Sequence, residues 1–409
     1  MLNTDIIVIG GGAAGFFGAI NTALKNPALK IVILEKSEKL LSKVKISGGG
    51  RCNVTHHCFD NSTLVKNYPR GEKELRHVFN EFNPQNTLDW FKKFGITIVA
   101  EDDGRMFPKS NSSQTIIDCF LELAKELNIK IITGFNVEEI NKKEGNFMVT
   151  SKNSNNQITG NKILIACGGF PKINQFDFIK KLGHNVLNPL PSLFTFNLPG
   201  NPITQLMGLS VKNASVKIKE LKTEINGPVL ITHWGLSGPA ILKTSAFMAK
   251  ALADKNYNFE FRINWLYPKN FDEVREYLLE IKHKHANGEI ANFKPAEIPG
   301  RLWEYFIYEV LGIEAKKKWR DLSAKELNQL NETLFNQTFN AKGKTTFKEE
   351  FVTCGGVDLK EINLKTMESK LLPQLYFAGE VINVDGITGG FNFQNAWSTS
   401  YIASEGLSK

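Results

Sequence analysis

The run "DIIVIGGGAAGFFGAINTALKN", residues 5–26, leaves a chain little choice of local fold. "DIIVIG" is a short apolar run that ends in glycine and reads as a buried strand. "GAAGFFGAINTALKN" reads as a helix, and "KIVILEK" (30–36) as a second buried strand. Strand, helix and strand within so few residues make a βαβ unit, which implies parallel strands and a right-handed crossover. The turn carries the spacing G-x-G-x-x-G at Gly10, Gly12 and Gly15, and Glu35 follows Gly15 by 20 residues. Each position has a mechanical reason. Gly10 permits the tight turn, Gly12 lets a pyrophosphate approach the backbone, and Gly15 lets the helix pack close to the strand. The first helical N–H groups then face the phosphates, and Glu35 accepts from ribose hydroxyls. An acidic residue there disfavours a 2′-phosphate, so FAD or NAD fits better than NADP.

The 409 residues are 42% hydrophobic and 22% charged, an ordinary globular balance that predicts two or three domains. The net charge of +8 fits either a mildly basic protein or one drawn to anionic cofactors or surfaces. "EAKKKW" (314–319) is the densest basic cluster and reads as an exposed helix face. Five cysteines without a CxxC pair argue against a disulfide framework and a dithiol centre, and for a reducing, cytoplasmic setting. "MLNTD" runs straight into the first strand, so no leader is expected, and no apolar run is long enough to cross a membrane.

Helices are expected at "EKELRHVFNEF", "NPQNTLDWFKKF" and "NSSQTIIDCFLELAKEL", the last with Asn111 and Gln114 as a capping box. "GITIVAEDDGRMFP" reads as strand, turn, strand. "IKIITGFNVEEINKK", "GNFMVTSK" and "QITGNKILIACGG" read as strands, with a hairpin loop or a poorly ordered tip between the last two. From about residue 190 short strands and turn signals suggest a small β unit. Its helix, "SGPAILKTSAFMAKAL", has Pro239 in the first turn. Residues 270–336 read as helices, including one capped by Ser323 and Glu326. "KEEFVTCGGVDL" and "QLYFAGE" return to strands, and a helix from Phe391 closes the chain. The expected architecture is α/β: a Rossmann-like FAD-binding domain with a parallel sheet, interrupted by a β-barrel-like insert and a helical insert. The boundaries are 1–190 with 338–409, 191–269, and 270–337.

Two later segments select FAD. "SGGGRCN" places Ser47, Gly48, Gly49, Gly50, Arg51, Cys52 and Asn53 where many FAD enzymes carry a second glycine–arginine clamp. No second G-x-G-x-x-G follows a strand, so no separate nicotinamide domain is expected. "LYFAGEVINVDGITGGFNFQNAW" then brings a strand into Gly379 and Glu380. Such an acid holds the ribityl hydroxyls, and the helix that follows turns its N-terminus to the flavin pyrimidine edge.

These segments, with "GRMFP", "ITHWGLSGPAIL" and "VTCGGVDLKEINLKTMESKLLPQLYFAGE", resemble the bacterial BaiN/YhiN-type flavoproteins, also described as aminoacetone-oxidase-family FAD enzymes. The resemblance covers almost the whole chain. It implies that Gly12, Ala14, Gly15, Glu35, Lys36, Arg51, Cys52, Asn53, Glu380 and Asn392 line FAD, with the Val137 backbone at adenine. Ala13, Lys43, Ala166, Cys167, Gly168, Asp385, Gly389, Gly390, Phe391 and Phe393 complete the candidate cofactor set. One member type reduces unsaturated bile-acid ketosteroids. The expected activity is therefore an FAD-dependent oxidoreductase, with NAD(P)H as a transient electron donor and an unsaturated or carbonyl-bearing small molecule as substrate. Arg105, to polarise a carbonyl, and His233, to supply a proton, are the candidate catalytic residues. His56, His57 and Cys58 lack a second ligand cluster, so no metal is expected. The alternatives are a flavin amine oxidase using oxygen and a flavin-containing factor that binds RNA or protein. No RNP-like or basic–aromatic motif supports RNA, so no nucleic-acid or membrane partner is expected.

Overall fold

The computed structural model describes residues 2–219, 224–345 and 352–409. The chain divides into two compact units, residues 1–192 with 348–409, and residues 193–347. In the first, β1 (Leu2–Ile9), α1 (Ala13–Lys25) and β2 (Ile31–Leu34) form the expected βαβ unit. β3 (Lys130–Ile132) lies parallel beside β2, and β4 (Ser154–Ile165) parallel on the other side of β1. The late strand Leu375–Phe377 adds to β4, again parallel. Ile6–Ile9, Ile31–Leu34 and Ile163–Ile165 are all buried, as unbroken apolar runs covered on both faces must be. The tip after "GNFMVTSK" is a tight hairpin into β4.

The C-terminal helix, Phe391–Leu407, packs on α1. Gly18 makes the approach possible: a Cβ there would lie 2.6 Å from Leu164 Cδ2 and 3.4 Å from Ser400 Cβ. Lys25 closes the contact with bonds to Ser404 Oγ (2.7 Å) and Glu405 (2.5 Å). Helix Gln114–Glu126 forms, but without the expected capping box. Asn111 is left-handed (φ 56°), and its amide oxygen accepts from Arg51 instead.

The second unit holds a seven-stranded antiparallel sheet. Its path begins at Gln337–Lys342 and ends at Lys344–Thr345, passing through Asn258–Asn264, Ser210–Ile218, Ile225–Thr232, Gly235–Ser237 and Thr195–Asn197. One residue, Gly343, links the two end strands, so the sheet curls until its ends are adjacent. The expected boundaries at 269/270 and 337/338 do not divide the chain. Trp265 packs tilted against Phe306 and edge-on to Phe339, and its backbone N–H donates to Leu334 O. Trp303, Trp319 and Leu330 join the same core, so sheet and helices bury one apolar surface together. "EAKKKW" is a turn rather than a helix face. Trp319 is fully buried, and its N–H donates to Gly288 O. Ser323 and Glu326 do form the capping box expected of them. Of "KEEFVTCGGVDL", the strand Val352–Val357 is seen, and residues 348–351 lie outside the described residues.

His184 makes the first unit sensitive to acid. Ser369 Oγ accepts from the N–H groups of Leu371 and Leu372, so its own proton goes to His184 Nε2 at 2.8 Å. The hydrogen then sits on Nδ1, which is buried without an acceptor among the described residues. Burial holds this imidazole below its usual value of 6.5. The unfolded chain therefore takes up the proton first, and stability falls as pH drops below about 6.5. Urea midpoints should decline from pH about 7.5 to about 5.5, and less steeply in His184→Phe. Equal slopes in the two proteins would contradict this role.

Candidate functional site

The β1–α1 turn is built as a cradle. A Cβ on Gly10 would lie 2.4 Å from Ala166 O, and one on Gly15 would lie 1.9 Å from Gly10 O. These glycines are required by the protein's own backbone. Gly12 is different: a Cβ there would meet nothing within 4 Å. Gly12 is also the N-cap of α1 and gives its first-turn N–H groups no side-chain acceptor. Open space over an uncapped N-terminus of a 13-residue helix suits a phosphate.

Glu35 ends β2 beside this turn. Its Oε2 accepts from Gly11 N–H at 2.8 Å, and its Oε1 from Ser37 N–H and Oγ, each at 3.0 Å. The carboxylate is therefore fixed and half-buried. Phe135 N–H donates to Glu35 O, which brings Val137, two residues on, to the same end of the sheet. Lys36 places its ammonium 4.9 Å over the Phe170 ring.

Ala166 N–H donates to Ile9 O, so Ala166, Cys167 and Gly168 pass directly beside Gly10. Gly168 faces Glu380, and Gly379 backs onto Ala14 at 2.9 Å from its would-be Cβ. Glu380 Oε1 accepts from Thr353 N–H (3.0 Å), while Lys43 Nζ reaches Oε2 at 2.7 Å. The early turn and the late Gly–Glu pair thus meet at one end of the parallel sheet.

"SGGGRCN" forms a helical turn from Ser42 that breaks into left-handed backbone at Gly48, Gly49, Gly50 and Cys52 (φ 58°, 70°, 85° and 62°). Cys52 N–H closes the turn onto Ser47 O, and Ser113 N–H caps Gly50 O. Gly49 again leaves open space where a Cβ would stand. Arg51 does not extend toward a phosphate. Its Nη1 donates to Glu101 (2.6 Å), and its guanidinium lies 3.9 Å over the Phe107 ring. Arg105 holds the other oxygen of Glu101 (3.1 Å) and Asp103 (2.7 Å). Both arginines are charge-balanced; Arg51 ties the hairpin Ile98–Pro108 to the glycine turn, and Arg105 bonds within the hairpin. Glu101 and Phe107 were invisible as partners in the sequence, because nothing near them in the chain marks the pairing.

Asn53 Oδ1 accepts from Met106 N–H and lies beside Gly390. Asn392 clamps the preceding loop through Gly386 N–H (2.8 Å) and Gly386 O (2.9 Å). His56, without a role in the sequence reading, bonds Gly389 O through Nδ1 (2.9 Å) and stacks on Phe391. Phe393 stacks on Trp397, whose Nε1 donates to Val54 O. Asp385 was expected at the cofactor. It is instead fully buried, paired with Arg70 and accepting from Ser192 Oγ at 2.7 Å. His233 is exposed, on the turn before Gly235–Ser237 in the second unit, edge-on to Trp234. Among the described residues no three His, Cys, Asp or Glu gather as metal ligands.

Burial pushes the Cys52 and Cys167 thiols up to about 12. Cys52 is wholly enclosed, so neither thiolate character nor access favours reaction. Iodoacetamide at pH about 8 should leave Cys52 unmodified in the folded protein and alkylate it after denaturation, as read by mass spectrometry. Rapid native labelling would contradict the placement.

The residues fit FAD: a phosphate cradle at Gly12, a fixed ribose acceptor at Glu35, and a second acid at Glu380. Comparison with known proteins agrees. A model of the HI0933-like protein Rossmann domain matches residues 4–406, and the chain belongs to that family. The family is one of flavin-dependent oxidoreductases. The chain is 30% identical to an Escherichia coli (strain K12) ribosomal RNA dihydrouridine synthase over 416 residues, 98% of each chain. It is 25% identical to a Clostridium scindens 3-dehydro-bile acid delta(4,6)-reductase over 404 residues, 97% of each. Among solved structures, the 3-ketosteroid delta1-dehydrogenase of Sterolibacterium denitrificans shares the fold (TM-score 0.53, 11% identity, all of both chains). Among the described residues no helix is long and apolar enough to cross a membrane.

Proposed function

We propose that the protein is an FAD-dependent reductase that saturates a carbon–carbon double bond conjugated to a carbonyl, with uridine in RNA as its substrate. The observation that carries this reading is the 30% identity, over 98% of both chains, to a ribosomal RNA dihydrouridine synthase. Dihydrouridine is uridine with the ring double bond beside its carbonyl saturated. The second relative's name describes the same chemistry on a steroid ring. The reading replaces the small-molecule substrate expected from sequence and sets aside the expectation of no nucleic-acid partner.

Bound FAD would supply the hydride, and NAD(P)H is the proposed donor, since the chain holds one dinucleotide fingerprint and a nicotinamide need only visit. The chain's own residues hold and orient. The α1 N-terminus and Gly12 receive the pyrophosphate, Glu35 the adenosine ribose, and Glu380, steadied by Lys43 and Thr353, the ribityl hydroxyls. The N-terminus of Phe391–Leu407 is fixed by Asn392, His56 and Tyr68, whose hydroxyl donates to Phe391 O at 2.7 Å. Of the two catalytic candidates, Arg105 has its charge balanced by two carboxylates, and His233 is exposed on a turn of the second unit, so proton delivery is assigned to neither.

The test is to incubate holoenzyme, NADH or NADPH and unmodified ribosomal RNA, then digest the RNA and measure dihydrouridine by mass spectrometry. Donor-dependent dihydrouridine is the expected result. Flavin oxidation by a 3-oxo-Δ4,6 steroid but not by RNA would favour the steroid reading, and flavin reduction by an amine alone the oxidase.

A further inference from the structure

The net charge is concentrated in one part of the second unit. Residues 193–269 and 338–347 hold 11 lysines and arginines against 4 carboxylates, whereas residues 270–337 hold 10 against 12. The curled sheet and its one long helix, Pro239–Asp254, therefore carry almost all of the chain's excess positive charge.

That helix is buried over most of its circumference, through Ile241, Ala246, Met248 and Leu252 among others. What it leaves outward is narrow. Lys243, Phe247 and Lys250 recur at intervals of four and three, one stripe on a helix. Phe247 is 39% exposed. From Lys243 to Asp254, the one acid at its end, the stripe runs about 16 Å. Beyond the helix the chain doubles back through Asn256 and Tyr257, both left-handed (φ 50° and 58°), and Tyr257 N–H donates to Leu252 O. The turn carries Lys255, and Lys344 lays its ammonium 4.5 Å over the Tyr257 ring. Gly343 N–H bonds Tyr257 O, which fixes that strand against the turn.

Lysines at a helix C-terminus are explained by the helix dipole alone. An outward phenylalanine between two lysines, on a helix that buries its large side chains Ile241, Met248 and Leu252, is not. Cations alternating with aromatic faces are what an unpaired nucleic-acid strand requires: charge for its phosphates and rings for its bases. One exposed phenylalanine gives too little apolar area to enter a bilayer. No such pattern was visible in the sequence, because Tyr257 and Lys344 are far apart in the chain and meet only through sheet pairing.

We infer that the Lys243–Phe247–Lys250 stripe, continued by Lys255 and by Lys344 over the half-buried Tyr257 ring, is a docking surface for single-stranded RNA. The inference rests on the RNA reading above and adds where the strand is held. The test uses flavin-loaded enzyme and a fluorescein-labelled oligouridylate of about 12 nucleotides, with binding followed by anisotropy at several salt concentrations. K243E/K250E should weaken binding at least tenfold and flatten the log–log salt slope by about 1.4, two phosphate contacts on a single strand. F247A should weaken it roughly tenfold with the slope unchanged, as loss of stacking does. K243Q/K250Q serves as a milder charge variant, and all variants should keep wild-type flavin content and reduction by NAD(P)H. If wild-type enzyme forms dihydrouridine and the variants bind RNA as it does, the surface is wrong and the RNA reading stands. If wild-type enzyme neither binds nor reduces RNA, both fail. Binding of phosphatidylglycerol vesicles but not RNA, lost in K243E/K250E, would overturn the inference in favour of a lipid partner.

Discussion

Gly12→Val should lower FAD affinity by a hundredfold or more while leaving the fold's own stability within about 1 kcal/mol of wild type. Gly12 has φ −102° and ψ −168°, extended backbone that valine adopts readily. Its Cβ would touch nothing in the protein, so the apoprotein has no reason to object. The space the side chain fills is the space through which a pyrophosphate would reach the α1 N–H groups. Gly15→Val separates the two effects. Its Cβ would fall 1.9 Å from Gly10 O, backbone against backbone, and should destabilise the apoprotein by several kcal/mol. Flavin content by denaturation and absorbance, with urea unfolding of the apoproteins, reads both. Stoichiometric flavin in Gly12→Val would remove the cradle from the account.

Arg70→Met should cost about 3–5 kcal/mol, because it strands a buried carboxylate. Asp385 is fully buried, and both Nε and Nη2 of Arg70 address it, with Ser192 Oγ on the same carboxylate. Burial pushes the Asp385 carboxyl up despite Arg70 and Ser192. Without the arginine it would rise further, and the neutral form needs no cation. The penalty in Arg70→Met should therefore shrink as pH falls. Arg70→Met/Asp385→Leu should recover much of the loss, since an apolar pair leaves no charge behind. Urea unfolding of the three proteins decides it. A single-variant cost below about 1 kcal/mol, or no recovery in the double variant, would mean the pair contributes little.

The pair also shows where sequence reading stops. Most of what depends on local order was legible, the Asn111–Gln114 cap excepted: the turn at Gly10–Gly15, Glu35 at the end of β2, the Ser323–Glu326 cap, and the helix that begins at Phe391. In each the physical requirement lies within a few residues of the signal. Arg70 precedes an unremarkable glycine, and its partner is 315 residues away. Arg51 looked free to meet a phosphate because Glu101 cannot be paired with it from spacing. "EAKKKW" read as a surface helix because the burial of Trp319 depends on a strand-like contact with Gly288. The boundary at 269/270 failed for the same reason: the shared core around Trp265 is a product of packing, and composition shifts only where secondary structure changes.

The central claim, that FAD held by this cradle carries electrons from a nicotinamide to uridine in RNA, is tested most directly by one anaerobic experiment. Flavin absorbance of the holoenzyme is followed on adding NADH or NADPH and then uridine-containing RNA. The account predicts bleaching by a nicotinamide and recovery of the oxidised spectrum with RNA, matched by dihydrouridine formed. A preparation that releases no flavin on denaturation, or a reduced flavin that RNA leaves reduced, would contradict it.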